Sequence, residues 1–266
     1  MPDASRPELA ETAARIGADH AIDEFRTTLD IESKASKTDL VTAVDRSAQD
    51  LMIERFRTEY PDDPIIAEEG NRQQPVPDSG PAWVIDPIDG TTNFTRGLRN
   101  WATSIAVVED GTPIAASTVM PALQDTFVAR DGEGSLNGEA ITVSDRADPE
   151  TFLVAVLGWA PNGDRSRYVR LAGTAIERFN DIRRIGCMQA ALAQVATGAL
   201  DAAITTEVPF PWDSIAGAHL IECAGGSVTD PDGEPWEHER DVMVASNGAA
   251  HDEILDILQE SSIYEE

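Results

Sequence analysis

Trp83-Val84-Ile85-Asp86-Pro87-Ile88-Asp89-Gly90-Thr91-Thr92-Asn93-Phe94 is the stretch whose reading decides the fold. An apolar run of the kind found in buried strands meets two carboxylates three positions apart. Pro87 fixes φ between them, and Gly90 frees the chain just after them. Thr91 and Thr92 suit the first turn of a helix, where backbone N–H groups lack intrahelical partners. Two carboxylates, a hydroxyl and free amides in one turn form a hard-cation and phosphate site in miniature. A strand end capped by a polar turn has the same local sequence, so the decision rests on what else the chain supplies.

At 266 residues the chain suits two domains or one large layered domain. It has no run of 18 apolar residues and no basic, apolar leader at Met1-Pro2-Asp3. Its two cysteines, Cys187 and Cys223, lack metal-ligand spacing and read as small buried apolar residues. Together these predict a reduced, cytoplasmic protein with no membrane partner. Forty-eight acids against twenty bases give a formal net charge of −28, and only Lys34 and Lys37 are lysines. Such a surface repels itself in dilute buffer and is tolerable where salt shortens the Debye length to about 3 Å, the condition of a halophilic archaeal cytoplasm. The acids are dispersed from Asp3 to Glu266, and no basic stripe offsets them, so nucleic acid is excluded as a main partner. The paired lysines in the 34–39 loop read either as a local need for positive charge against a phosphate or as a solvated pair.

Outward from the central stretch, apolar spacing predicts a helix from Pro7 to Leu29 and a second from about Asp45 to Tyr60. Ile65–Ala67 is a short strand ending in Glu68 and Glu69. Asn71 to Pro81 is a polar excursion. Strands follow at Ala102–Val108, Ile114–Met120 and Thr126–Ala129, with turns at Asp110-Gly111 and Asp131-Gly132, which predicts an antiparallel sheet. Gly132 to Gly138 reads as a loop and Ala140–Val143 as a further strand. From about Pro149 the rhythm becomes strand–helix alternation, so the halves divide at residues 147 and 148 and the second is α/β. Its strands are placed at Phe152–Leu157, Ile182–Ile185, Ala202–Thr205, Ser227–Thr229 and Val242–Ala245. Its helices are placed at Arg165–Arg178, Met188–Ala196, Asp213–Cys223 and His251–Leu258.

Acids therefore recur at element ends: Asp45, Glu68, Asp86, Asp89 and, at the start of a second-half helix, Asp213. Alone, Asp213 reads as an N-cap. Converging on one cleft, an oxygen-only set suits Mg²⁺ rather than Zn²⁺, since no His or Cys recurs at ligand spacing. The sequence here resembles the inositol monophosphatase family of Mg²⁺-dependent, lithium-sensitive phosphatases. The resemblance rests on Ile66-Ala67-Glu68-Glu69, on Trp83 to Phe94, and on Trp212 to Gly217 with Glu222 to Gly226 behind it. Asp39 to Asp45, Gly134 to Gly138 and Val195 to Gly198 are lesser echoes, and the ordered set spans nearly the whole chain.

The resemblance implies an alternating αβαβα sandwich of the sugar-phosphatase type, with a metal-binding half (1–147) and a half completing the substrate site (148–266). It implies attack of water on a phosphate monoester, with two or three Mg²⁺ held by Glu68, Asp86, the carbonyl of Ile88, Asp89 and Asp213. Asp45 corresponds to a residue that binds a further, weaker ion through water. Glu68 and Thr91 correspond to the pair that orients and deprotonates that water. The phosphate corresponds to one resting on the amides of Gly90 and Thr91. Substrate hydroxyls correspond to Asp89, Asp213, the Gly186-Cys187 turn and Glu207, although Cys187, Met188 and the 206–211 segment depart from the family pattern. The substrate is then a small phosphorylated polyol or sugar, inositol monophosphate or fructose 1,6-bisphosphate, and the protein a homodimer. A 3′(2′),5′-bisphosphate nucleotidase and a silent regulator derived from a phosphatase are the alternatives.

One feature of charge stands apart. Arg165, Arg167, Arg170, Arg178, Arg183 and Arg184 share a window with only Glu177 and Asp181, giving +4 in a chain of −28. A guanidinium suits a phosphate through paired donors, so part of this cluster is expected either to receive a second phosphate or to pair with surface acids or a subunit interface.

Overall fold

The computed structural model describes residues 4–29, 31–33, 40–70, 75–158 and 165–264. Lys34 and Lys37 and the start of the 71–81 excursion lie outside the described residues.

Helix α1 (Arg6–Glu24) starts with the Glu8 carboxylate accepting from both the amide and the hydroxyl of Ser5. It stops short of the predicted Leu29, because Phe25 turns extended and packs on Phe94 and Trp101. A two-stranded antiparallel pair, β1 (Ile31–Ser33) and β2 (Leu40–Thr42), leads into α2 (Ala43–Glu59). The first sheet then runs, in chain order and in space, β3 (Ile65–Ala67), β4 (Pro81–Asp89), β5 (Ala102–Glu109), β6 (Thr112–Met120), β7 (Asp125–Arg130), β8 (Glu133–Leu136) and β9 (Glu139–Ala140).

Three expectations need correction here. The sheet is not wholly antiparallel, since β3 lies parallel to β4. Gly132 to Gly138 is not a loop, because it contains β8, and the strand expected at Ala140–Val143 is reduced to the short β9. Asn137-Gly138 has positive φ at both residues, as Asp110-Gly111 and Asp131-Gly132 do, and makes the third two-residue hairpin turn. Beyond β9 the chain leaves the sheet, and the Val143 amide donates to the Ala224 carbonyl.

The second sheet is built from β10 (Leu153–Leu157), β11 (Asp181–Arg183), β12 (Ala202–Thr205), β13 (Ser227–Thr229) and β14 (Val244–Ser246), in the order β11-β10-β12-β14-β13. β10 runs parallel to β11 and β12, and β14 antiparallel to β12 and β13. Four helices complete the fold beside a short α3 (Thr91–Thr95): α4 (Ser166–Arg178), α5 (Met188–Ala196), α6 (Pro211–Cys223) and α7 (His251–Glu260).

Alternation along β4 explains the layering. Trp83 and Ile85 face α1 and α2, where they pack with Leu9, Ala13, Met52 and Phe56. Trp83 stacks on Phe56 with ring centroids 4.0 Å apart, and its indole N–H reaches Asp63 at 3.0 Å. Val84 faces the other way, into a core shared with α5, α6 and the inner residues Ala155, Ala203 and Ala245 of the second sheet. The outer face of that sheet, with Phe152, Val154 and Ile204, is covered by Leu171 of α4 and Ile254 and Leu258 of α7. The layers thus alternate α-β-α-β-α, as the sequence led one to expect. Among the described residues, no helix is long and apolar enough to cross a membrane.

Candidate active site

Asp86 and Asp89 both belong to β4, where residues three apart would face opposite sides of a regular strand. The register with β5 breaks between them, and Thr103 Oγ donates to the Pro87 carbonyl at 2.8 Å inside the irregularity. Both carboxylates consequently reach one cleft. One oxygen from each of Asp86, Asp89 and Asp213 lies within 4.8 Å of the other two. Asp213 comes from the first turn of α6, where it is the third residue and not the N-cap; Phe210 holds that position.

Each acid sits in a different environment. Asp89 Oδ2 accepts from the Cys187 thiol at 3.1 Å and from the Gln189 amide, so a carboxylate of the first sheet meets the start of α5. Gln189 Nε2 in turn donates to the Trp212 carbonyl at 2.9 Å, next to Asp213. Burial pushes the Asp89 pKa up to about 6, with the Gln189 amide and Cys187 thiol opposing it. Asp86 is buried with neither carboxylate oxygen receiving a hydrogen bond from a donor group. Its burial, followed by the charges of Glu68, Asp89 and Asp213, holds its pKa well above the ordinary carboxylate range.

Asp45 lies in the first turn of α2, fully buried, with Oδ2 accepting from the Thr42 amide and hydroxyl at 2.9 and 2.6 Å. Desolvation raises its pKa to about 6 against those bonds, and Glu68 and Glu69 add to the rise. The Thr91 hydroxyl lies between Asp45 Oδ1 at 3.2 Å and the Ile88 carbonyl at 3.1 Å, and can donate its hydrogen bond to either. Glu68 follows β3, half-buried, and the segment is held by Gln49, which exchanges two hydrogen bonds with the Glu69 backbone at 2.7 and 3.0 Å.

Gly90 has φ +85°, and a Cβ there would come within 3.0 Å of Cys187 Cβ and 3.1 Å of the Gly186 carbonyl. Only glycine allows this approach of the backbone after β4 to the turn before α5. Asn93 secures it, its Nδ2 donating to the carbonyls of Asn100 at 2.6 Å and Ile185 at 2.9 Å.

A model of the inositol monophosphatase family matches residues 5–262. The chain belongs to that family. A fructose-1,6-bisphosphatase/inositol-1-monophosphatase of Thermotoga maritima is 36% identical over 235 residues, 86% of each chain. Nus factor SuhB of Escherichia coli is 34% identical over 225 residues, 84% of each. Among solved structures, the Thermotoga maritima IMPase superposes with a TM-score of 0.82 at 32% identity, covering 96% of this chain and 95% of that one.

For this inositol monophosphatase-family chain, the residues singled out in the sequence fall into two groups. Asp45, Glu68, Asp86, Ile88, Asp89, Gly90, Thr91, Gly186, Cys187 and Asp213 gather around the loop after β4 and the starts of α5 and α6. Glu207 is exposed beyond β12, beside Gly158, and outside the acid triplet. Gln49, Asn93 and Gln189 were not singled out, although each ties a site segment to another part of the fold. The side-chain bonds from Gln49 to Glu69, Gln189 to Trp212 and Asn93 to Ile185 span 20, 23 and 92 residues of chain, so no local pattern announces them.

Proposed function

We propose that the chain is a Mg²⁺-dependent phosphomonoesterase acting on small phosphorylated polyols or sugars, inositol monophosphate and fructose 1,6-bisphosphate among them. Asp86 carries this reading. A buried carboxylate without a donor, beside three further acids, costs several kcal/mol unless a cation occupies the space between them. The donors are all oxygen, which fits a hard divalent ion. Glu68, Asp86, the Ile88 carbonyl, Asp89 and Asp213 would hold two or three Mg²⁺. When bound, Mg²⁺ would supply a Lewis acid for phosphate oxygens and a lower pKa for water.

The chain's own residues supply the rest. Thr91, donating its hydrogen bond to Asp45 or to the Ile88 carbonyl, offers lone pairs that orient a water. Asp45, with a pKa of about 6, takes up a proton close to neutrality. The Gly90–Thr91 backbone faces the phosphate, and Asp89, Asp213 and the Gly186-Cys187 turn face the alcohol. In a chain of −28 an anionic ester needs such a local reversal of sign. A homodimeric, lithium-sensitive, cytoplasmic enzyme adapted to high salt completes the proposal.

Phosphate release from inositol 1-phosphate, fructose 1,6-bisphosphate and adenosine 3′,5′-bisphosphate, with and without Mg²⁺ in concentrated KCl, tests it. Preference for the nucleotide would replace the substrate class. The relative that is a Nus factor favours one second reading, a regulator without turnover. Absence of Mg²⁺-dependent release from every ester would support that reading instead.

A further inference from the structure

Glu68 reaches the site from the edge of the first sheet. β3 lies against β4 alone and ends at Ala67. One more main-chain bond follows, from the Glu68 amide to the Ile85 carbonyl at 3.1 Å. Two residues further on, Gly70 has φ +124°, and the chain turns away from the sheet. A single bond from β4 would leave the Glu68 carboxylate free to swing with the turn that follows it.

Gln49 supplies the missing support. It stands on α2, one turn beyond Asp45, and is 7% exposed. A carboxamide offers donors and an acceptor side by side, and here both ends are turned on one residue. Nε2 donates to the Glu69 carbonyl at 2.7 Å, and the Glu69 amide donates to Oε1 at 3.0 Å. An opposing residue in an antiparallel strand would exchange the same pair of bonds. The glutamine therefore acts as one residue of strand where β3 has stopped. Its base is firm, because Met52 and Phe56 on the same face of α2 pack with Trp83 and Ile85.

Charge explains why the side chain is an amide. Glutamate has the same reach but no donor for the Glu69 carbonyl. It would also add a negative charge among Asp45, Glu68 and Glu69, whose charges already act on one another. Leucine would fill the space and bond neither backbone group.

We infer that Gln49 is a positioning residue for the reaction: through the Glu69 backbone it fixes where the Glu68 carboxylate stands beside Asp86. This rests on the phosphatase reading above, in which Glu68 is one of the Mg²⁺ ligands.

The test compares wild type with Gln49→Leu, Gln49→Glu and, as a control on the same helix, the exposed Asp50→Asn. Calorimetric titration with Mg²⁺ alone should show affinity about tenfold to a hundredfold weaker in Gln49→Leu, the scale of losing an outer support of a metal ligand. Asp50→Asn should bind as wild type does. Amide hydrogen exchange without metal reads the contact itself. Exchange at Glu69 should speed up about tenfold or more in Gln49→Leu, with Ile66 of β3 unchanged. Gln49→Glu keeps an acceptor for that amide, so its exchange should lie between. With inositol 1-phosphate and saturating Mg²⁺, kcat should fall in both Gln49 variants while KM holds, since the glutamine bonds backbone and not the ester. A purely structural role would lower the metal-free melting midpoint and leave Mg²⁺ affinity and kcat as in wild type. That result, or unchanged exchange at Glu69 in Gln49→Leu, would overturn the inference. Should Gln49→Leu fail to fold, kcat of Gln49→Glu decides. If no ester is hydrolysed, the phosphatase reading falls, and the titration and the exchange still decide Gln49.

Discussion

Asp86 and Asp201 are both aspartates out of reach of solvent, and the chain treats them in opposite ways. Asp201 precedes β12 and is saturated: Ser144 Oγ at 2.6 Å and Arg146 at 2.9 Å reach Oδ1, and the Leu153 amide at 2.8 Å reaches Oδ2. It binds the connection between the two sheets to the start of the second. Asp86, in the first half, has burial and like charge but no donor. One carboxylate is ballast for the fold, and the other carries a cost that the proposed metal site would relieve. Burial of charge therefore says nothing of role until the partners are counted.

Exchanging the charge at each site separates the two most sharply. Asp86→Asn should cut Mg²⁺-dependent phosphate release at least about 10³-fold, the scale of losing one Lewis-acid contact. The same variant should melt at a higher temperature than wild type without metal at pH 8, since the repulsion is gone. A variant with normal turnover would show that Asp86 is not a ligand. Asp201→Ala should do the reverse, losing about 3 kcal/mol in denaturant unfolding because three donors are orphaned. Its remaining folded fraction should still gain stability from Mg²⁺.

The pH response sharpens the same contrast. Asp45, Asp86 and Asp89 have folded-state pKa values raised above the unfolded range near 4, with Asp45 and Asp89 at about 6. The native state then binds more protons than the unfolded state, so these groups favour folding below pH 4 and lose that contribution as pH rises through 6 and beyond. Without metal, the midpoint of thermal unfolding should rise between pH 8 and pH 5, and less steeply in Asp86→Asn. Saturating Mg²⁺ should raise the midpoint most at pH 8, flattening the profile. The smallest effect belongs to the exposed Arg178–Glu260 pair, where Arg178→Gln should change stability by less than about 1 kcal/mol.

Local chemistry made much of this legible. The apolar run into Asp86, the Asp-Gly turns and the strand–helix alternation after Pro149 each have a short-range cause, and the elements they predict are present. What escaped depends on distant partners. α1 ends at Glu24 although its apolar spacing continues, because Phe25 is claimed by Phe94 and Trp101. β8 was hidden by Gly134 and the flanking Gly132 and Gly138, though Asn137-Gly138 carried the hairpin signal. The acid set could be named residue by residue, whereas the break in register that turns Asp86 and Asp89 toward one cleft could not. Nor could the sequence sort the arginines, since Arg167, over the Tyr264 ring, and Arg178, against Glu260, differ only in what lies opposite them.

The bonds from Cys187 and Gln189 to Asp89 close loops of 98 and 100 residues. Contacts so remote along the chain form late, after nearer elements have condensed. A nascent chain would therefore carry its acids long before it could gather them, and uptake of a divalent ion should mark the last stage of maturation rather than seed it.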